Sequence, residues 1–253
     1  MSSSPSTDAR PLSRRDRLRQ ATIEEIKTLA RQQLAEQGPG ALSLRAIARQ
    51  MGTASSALYR YFASYEDLIG ALCVDAYNAC ADALTTARDA QPADDHVRQW
   101  WAICHAYRRW SLKHPADFAL IFGTPVPGYQ APAHVTGTAA GRLIAVPLQV
   151  FAAAVRAGAA DPDRTQVPRT LQLGPLLRDL LKRASGDYPP RLAGIALTAW
   201  ASVLGYLVAE IFGSLPHLVG DSDQLYRAHL RTGMLGMGFD PALVDAADNR
   251  RSG

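Results

Sequence analysis

The side chains with the most to offer chemically crowd into one stretch of this 253-residue chain, residues 42–62, LSLRAIARQMGTASSALYRYF. It holds the hydroxyls of Ser43, Thr53, Ser55, Ser56, Tyr59 and Tyr61, the guanidiniums of Arg45 and Arg60, and the small methyl of Ala57. Hydroxyls and guanidiniums bond phosphate oxygens and base edges, and a methyl packs on the thymine methyl, so the stretch carries the chemistry of a duplex DNA contact. Arg14 and Arg15 upstream and Tyr65 downstream extend the same set.

Catalytic and metal chemistry finds less support. Gly220-Asp221-Ser222 has the letters of a serine-hydrolase element, but it stands just before a predicted helix, where Asp221 and Ser222 serve as caps. Gly233, Gly236 and Gly238 follow a helix rather than a strand, which fits a helix end and not a dinucleotide loop. Cys104 and His105 could contribute to a metal site, but as neighbours on a helix they point about 100° apart, which fits a core thiol beside a pocket or surface imidazole better. Cys73, Cys80 and Cys104 lack C-x-x-C spacing and are expected to be buried, reduced thiols. No enzyme, cofactor or metal is expected. A helical enzyme with a basic arm used only for solubility is the alternative.

Helices must position the hydroxyl-rich stretch. Leu44, Ile47, Ala48 and Met51 recur at three- and four-residue spacing after Ser43, an N-cap residue. Gly52 ends that helix because glycine takes positive φ freely. Thr53 to Ser56 opens a second helix that points Leu58 and Phe62 inward and Tyr59, Arg60 and Tyr61 outward. Its slim start suits a major groove about 12 Å wide. An ordinary antiparallel helix pair has the same spacing.

A first helix begins at Arg14, Arg15, Arg17 and Arg19, buries Ile23, Ile26, Leu29, Ala30 and Leu34, and ends at Gln37 to Gly40. Cations at a helix N-terminus oppose the macrodipole, and an external anion such as phosphate would compensate. A fourth helix, about Tyr65 to Arg88 with Ser64 as N-cap, would span about 36 Å. Residues 1–62 hold ten Lys and Arg against five acids, a net of +5, and the other 191 residues hold 17 against 18, a net of −1. The basic excess therefore sits entirely beside the candidate contact residues, as expected where one module docks on phosphates.

From Ile23 through Leu72 the chain resembles the DNA-binding domain of the tetracycline-repressor (TetR) family. The likeness rests on ARQQLAEQGPGALSLRAIA followed by MGTASSALYRYFASYEDLIGAL, with LSLRAIA, LYRYF and S-x-E-D-L in the family's order. It implies a transcriptional regulator, usually a repressor, that binds a palindromic operator as a homodimer and is released by a small molecule. Arg45 matches a position that often reaches a base or phosphate in the family, whereas Tyr65 stands where the family frequently has a phosphate-contacting Lys.

The remainder reads as helices and loops, so the fold class is all-α: a three-helix helix-turn-helix domain over residues 13–64 and a larger ligand-binding and dimerisation domain over 65–240, with tails at 1–12 and 241–253. Helices are expected over 94–114, 115–121, 138–158, 169–185, 190–213 and 221–236, and a loop over 123–137. HPADFALIFGTPVPGY and TAWASVLGYLVAEIFG resemble one TetR subgroup whose penultimate helix is marked by Trp, His and Gly. Trp200 and Gly205 match, and Leu204 replaces the His. Trp101, His105, Phe118, Phe122, Tyr129, His134, Trp200 and Tyr206 have the apolar and polar balance of a small-molecule cavity, and equally that of a helical core. Their ligand would be a small apolar or amphipathic molecule; a regulator with no effector is the alternative.

Ala193, Ala201, Gly205 and Ala209 permit close helix approach, and with the helix Gly174 to Arg183 they suggest a two-fold interface. Apolar residues make up 47% of the chain, ample for a core, and neither a membrane span nor a signal peptide is expected, which points to the cytoplasm.

Overall fold

A computed structural model describes residues 13–38, 42–123, 132–165, 167, 172–175, 177–179, 188–213 and 215–249. Backbone contacts divide the chain into two compact units, Met1–Ile69 and Gly70–Gly253. The division falls a few residues into the fourth helix, not before it.

In the first unit α1 (Arg14–Gln37), α2 (Leu44–Gln50) and α3 (Ser55–Leu58) precede the start of α4 (Tyr65–Asp89). Burial follows the three- and four-residue periodicity. Ile26, Ala30 and Leu34 of α1, Leu44, Ile47 and Ala48 of α2, Leu58 and Phe62, and Leu68 and Ile69 form its core. Gln33 adds a polar tie, its Oε1 accepting from the backbone N–H of Ser43 at 3.0 Å.

The second unit is built from the rest of α4 with α5 (His96–Lys113), α6 (Pro115–Phe122), α7 (Ala133–Arg156), α8 (Pro190–Ile211), α9 (Ser222–Gly236) and α10 (Pro241–Asn249). Among the described residues no strand occurs, only an isolated antiparallel bridge between Ala160 and Phe239. At that bridge Gly238 has φ +86°, and a Cβ there would lie 2.0 Å from the Asp161 carbonyl oxygen, so glycine alone fits the helix end. α5 is the central element, burying Trp100, Trp101, Ile103, Cys104, Tyr107 and Trp110.

Three expectations are corrected. α7 starts at Ala133 rather than 138, because Pro132 precedes it with a preset φ and its carbonyl accepts from Val135 and Thr136, while Gly137 is carried inside the helix. The stretch 241–249, expected as a tail, is α10, and it buries Val244 and Ala247 in the second core. The small residues of α8 do not form one stripe: Ala193 is buried, whereas Ala201 and Gly205 are exposed. Steps of four residues advance 400°, so such a row turns about 40° per step around the helix. Of the helix expected over 169–185, most residues lie outside the described ones, as does most of the loop over 123–137.

α7 (from His134) and α8 are long and apolar enough to cross a membrane, yet 56% and 50% of their most apolar windows are buried inside the protein. Their apolar side chains pack in the second core.

Arg108 anchors two ion pairs in that unit, one to a buried and one to an exposed carboxylate. Arg108 on α5 forks onto Glu210 of α8, Nε to Oε2 at 2.8 Å and Nη2 to Oε1 at 2.6 Å, and its Nη1 reaches Asp223 of α9 at 2.6 Å. Its guanidinium also lies 5.0 Å from the Tyr226 ring centre. The Glu210 side chain is only 6% exposed, so its charge depends on that fork. Replacing Arg108 by Ala strands the carboxylate and is expected to lower stability by about 3 kcal/mol, measured by denaturant unfolding; a loss below about 1 kcal/mol would show that the fork behaves as a surface pair.

Candidate nucleic-acid interface

The turn between α2 and α3 is a Schellman motif. The N–H of Thr53 donates to Ala48 O at 3.0 Å and that of Gly52 to Arg49 O at 3.2 Å, with Gly52 at φ +65°. Ser43 caps the other end of α2, its hydroxyl accepting from Ala46 N at 3.3 Å. These local bonds fix where α3 leaves.

α3 itself is a single turn, shorter than the sequence suggests, and continues as turns through Tyr61 closed by Tyr61 N to Leu58 O at 2.8 Å and Phe62 N to Leu58 O at 3.0 Å. Leu58 and Phe62 are buried beneath it. Their anchoring leaves Thr53, Ser56, Tyr59 and Arg60 exposed and Ser55, Ala57 and Tyr61 partly so. Nothing caps the α3 N-terminus through a side chain, since Ala54 occupies the N-cap. Its free N–H groups and the nearby hydroxyls are therefore left to an external acceptor.

Arg14, Arg15, Arg45, Arg49 and Arg60 are exposed and make no ion pair among the described residues. Five cations are thus available within the first unit. Arg19 is held differently. Its Nη1 donates to Arg60 O at 3.4 Å and its guanidinium lies 5.2 Å from the Tyr61 ring centre, which ties the start of α1 to the end of the α3 turn. Sequence reasoning counted Arg19 as one more cation of the arm; its pairing with Tyr61 spans more than forty residues and leaves no local signal.

At the start of α4, Ser64 Oγ accepts from Asp67 N and Asp67 Oδ2 accepts from Ser64 N, each at 3.1 Å, a reciprocal cap. Burial, then the charge of Glu66, raises the Tyr65 phenol above its ordinary pKa, so it stays protonated as a donor. With Glu66 and Asp67 in the first turn, this terminus is less inviting to phosphate than the family's Lys would make it.

The cavity candidates of the second unit separate into two aromatic groups. Phe118, Phe122 and Trp200 surround Tyr107, with Tyr107 and Trp200 stacked at 4.4 Å. Trp101 stacks on His105 at 5.7 Å, and His105 and Tyr206 both meet Tyr226. His134 is exposed at the start of α7, and Tyr129 lies outside the described residues. Tyr107 was missed from the sequence, although its spacing from Trp100 and Cys104 puts it on their face. Pockets described on this unit have other linings, such as one of about 430 Å³ bounded by Arg88, His96, Gln149 and Arg156 among others.

The remaining chemistry resolves into structure. Asp221 caps α9, accepting from Asp223 N and Gln224 N at 2.9 Å each. All three cysteines are buried and free, and burial followed by the Asp117 charge pushes the Cys73 thiol up to about 11. At neutral pH these thiols are protonated and unreactive.

Comparison with known proteins finds two family models along the chain. Residues 26–72 match the family model described as bacterial regulatory proteins, tetR family, and residues 100–232 match the tetracyclin repressor-like C-terminal domain. The chain is 37% identical over 203 residues to the HTH-type transcriptional regulator Rv1816 of Mycobacterium tuberculosis, covering 79% of this chain and 84% of that one. A counterpart in Mycobacterium bovis, Mb1846, matches to the same extent. Among solved structures, that of the regulatory protein SCO4313 superposes with a TM-score of 0.68 at 32% identity over 88% of this chain and 99% of its own. A tetR-family regulatory protein of Rhodococcus RHA1 shares the fold, with TM-score 0.60 at 16% identity over 86% of this chain and 97% of that one.

Because Gly52 must hold positive φ, Gly52→Ala is expected to destabilise the first unit by about 1 kcal/mol. Hydrogen exchange should show amides of α2 and α3 losing protection while those of α5 and α8 keep theirs; uniform change throughout would contradict this assignment.

Proposed function

This chain belongs to the TetR family of bacterial transcriptional regulators, and from that premise we propose that it is a cytoplasmic, homodimeric repressor released from a palindromic operator by a small molecule. The observation that carries the DNA reading is the exposed turn of α3, where hydroxyls and an uncapped helix N-terminus overlie a buried Leu58 and Phe62 anchor, in a unit that also holds exposed, unpaired arginines.

Ser55, Ser56 and Ala57 meet base edges and thymine methyls, with Thr53 at the entry to the groove. Tyr59, Arg60 and Tyr61 bond flanking phosphates, Arg19 holding the Tyr61 ring in place. Arg45 reaches the backbone from α2, and Arg14 and Arg15 follow it or enter the minor groove. Ser43 accepts from Ala46 N and keeps its hydroxyl proton to donate to a phosphate. Tyr65 contributes one neutral hydrogen bond.

Release follows from α4, one continuous helix whose first residues, Tyr65 to Ile69, belong to the first unit and whose remainder belongs to the second. A ligand that favours a different placement of its C-terminal part moves the recognition elements off successive major grooves, about 34 Å apart, with a coupling of about 1 to 3 kcal/mol. The dimer contact is assigned to the outer face of α8, where Thr198, Ala201, Ser202 and Gly205 are exposed and small.

Two experiments test the reading. In mobility shifts on the DNA flanking its coding region, affinity should fall by about 10³ to 10⁵ between 50 and 200 mM salt if six to ten phosphates are contacted; a flat response would contradict it. Gly205→Arg should yield a monomer by sedimentation and abolish the shift, since a Cβ at Gly205 meets nothing within 4 Å in the monomer. A dimer of unchanged operator affinity would remove α8 from the interface.

A further inference from the structure

His229 sits half-buried on α9, against the outer face of α8. Its Nε2 lies 3.4 Å from Ser202 Oγ, and its ring centre 5.1 Å from that of Tyr206. Both neighbours are uncharged. The Tyr206 hydroxyl donates to Ser222 O at 2.9 Å, and burial, then the charge of Glu210, raises its pKa, so the phenol stays neutral. Among the described residues no carboxylate pairs with His229. Of the acids around Tyr206, Glu210 and Asp223 are held by Arg108 and Asp221 caps α9, while Asp245 of α10 is held by Arg231. On α9 itself the charges nearest in sequence are Arg227 and Arg231, two residues to either side, and a cation there opposes a proton on the imidazole.

His229 is thus a titratable ring with no counter-charge. Burial already holds its pKa below the ordinary histidine value, with the hydrogen bond to Ser202 offsetting part of that. Ser202 belongs to the α8 face assigned above to the dimer contact, beside Ala201 and Gly205, and Leu225, Thr232 and Gly233 lie one turn from His229 on α9. None of these carries a charge. A two-fold contact brings the same residues from a second copy, so it strips water from the imidazole and this face supplies no acid for an imidazolium. We infer that His229 makes the self-association of this regulator acid-labile: its neutral ring is accommodated between two copies, and a proton taken up by it drives them apart. The sign follows from linkage. A group that binds its proton less readily in the dimer than in the free protomer strengthens the contact above the free protomer's pKa, and that contribution is lost as pH falls through it. The inference rests on the homodimer reading above and gives that contact its regulation.

The test is sedimentation equilibrium of the full chain and of its His229→Gln and His229→Phe variants at about pH 8 and about pH 5.5, at one salt concentration. Each released protomer takes up a proton, so the wild-type dissociation constant rises by up to about a hundred-fold per pH unit once below the free protomer's pKa. An increase of about ten-fold or more is expected across the interval. Gln keeps a hydrogen-bonding partner for Ser202 and Phe keeps a ring on Tyr206, and neither takes a proton, so at least one variant should stay dimeric and equally tight at both pH values. Circular dichroism should show the wild-type helices intact at the lower pH; an unfolded chain there would overturn the inference. A wild-type dimer equally tight at both pH values overturns the acid switch and spares the dimer, whereas a monomer at both overturns the two together. Equal weakening by acid in the wild type and in a dimeric variant assigns the effect to another group, and loss of the dimer in both variants at about pH 8 shows that the ring acts by shape; either result overturns the inference.

Discussion

The left-handed turn at Gly52 decides which side chains of the first unit are covered and which are left for a partner. It closes α2 through two backbone bonds and sends the chain directly into α3. Leu58 and Phe62 can then reach the core with Ile26, Ala30 and Ile47, which leaves Ser56 exposed and Ser55 and Ala57 partly so. A contact surface of hydroxyls and cations is thus a by-product of how two apolar anchors are buried. The same economy explains why α3 needs only one turn: its direction is set by the turn before it and the anchors after it, not by its own helical stability.

The second unit depends on a different constraint. Its core is aromatic and centred on α5, and rings of α6, α8 and α9 meet those of α5 at centroid separations from 4.4 to 6.4 Å. Such contacts orient rings but do not by themselves fix helix register. Register is set where polar groups must be matched: the Arg108 fork onto Glu210, the Tyr226 hydroxyl on Cys104 O at 2.7 Å, and the Tyr188 hydroxyl on Leu148 O at 2.9 Å.

Much of the first unit was legible in the sequence because its determinants are local. Ser43 and Ser64 as caps, Gly52 as the turn, and the apolar spacing of α1 and α2 each act within a few residues, and each appears as expected. The exposed hydroxyl and guanidinium residues follow from the same periodicity. What could not be read depends on distant partners: Arg19 over Tyr61, Arg108 with Glu210 and Asp223, and the sorting of six of the cavity candidates into groups around Tyr107 and Tyr226. α10 was missed for a related reason. It buries Val244 and Ala247 in a core whose central helix, α5, lies more than a hundred residues earlier.

The account turns on a dimer presenting two copies of the α3 face to one side of a duplex. The most direct measurement is a hydroxyl-radical footprint of the purified protein on its operator. The account predicts two protected patches related by two-fold symmetry, centred about one helical turn apart or a whole multiple of it. A single protected patch, or protection spread without periodicity along the fragment, would contradict it.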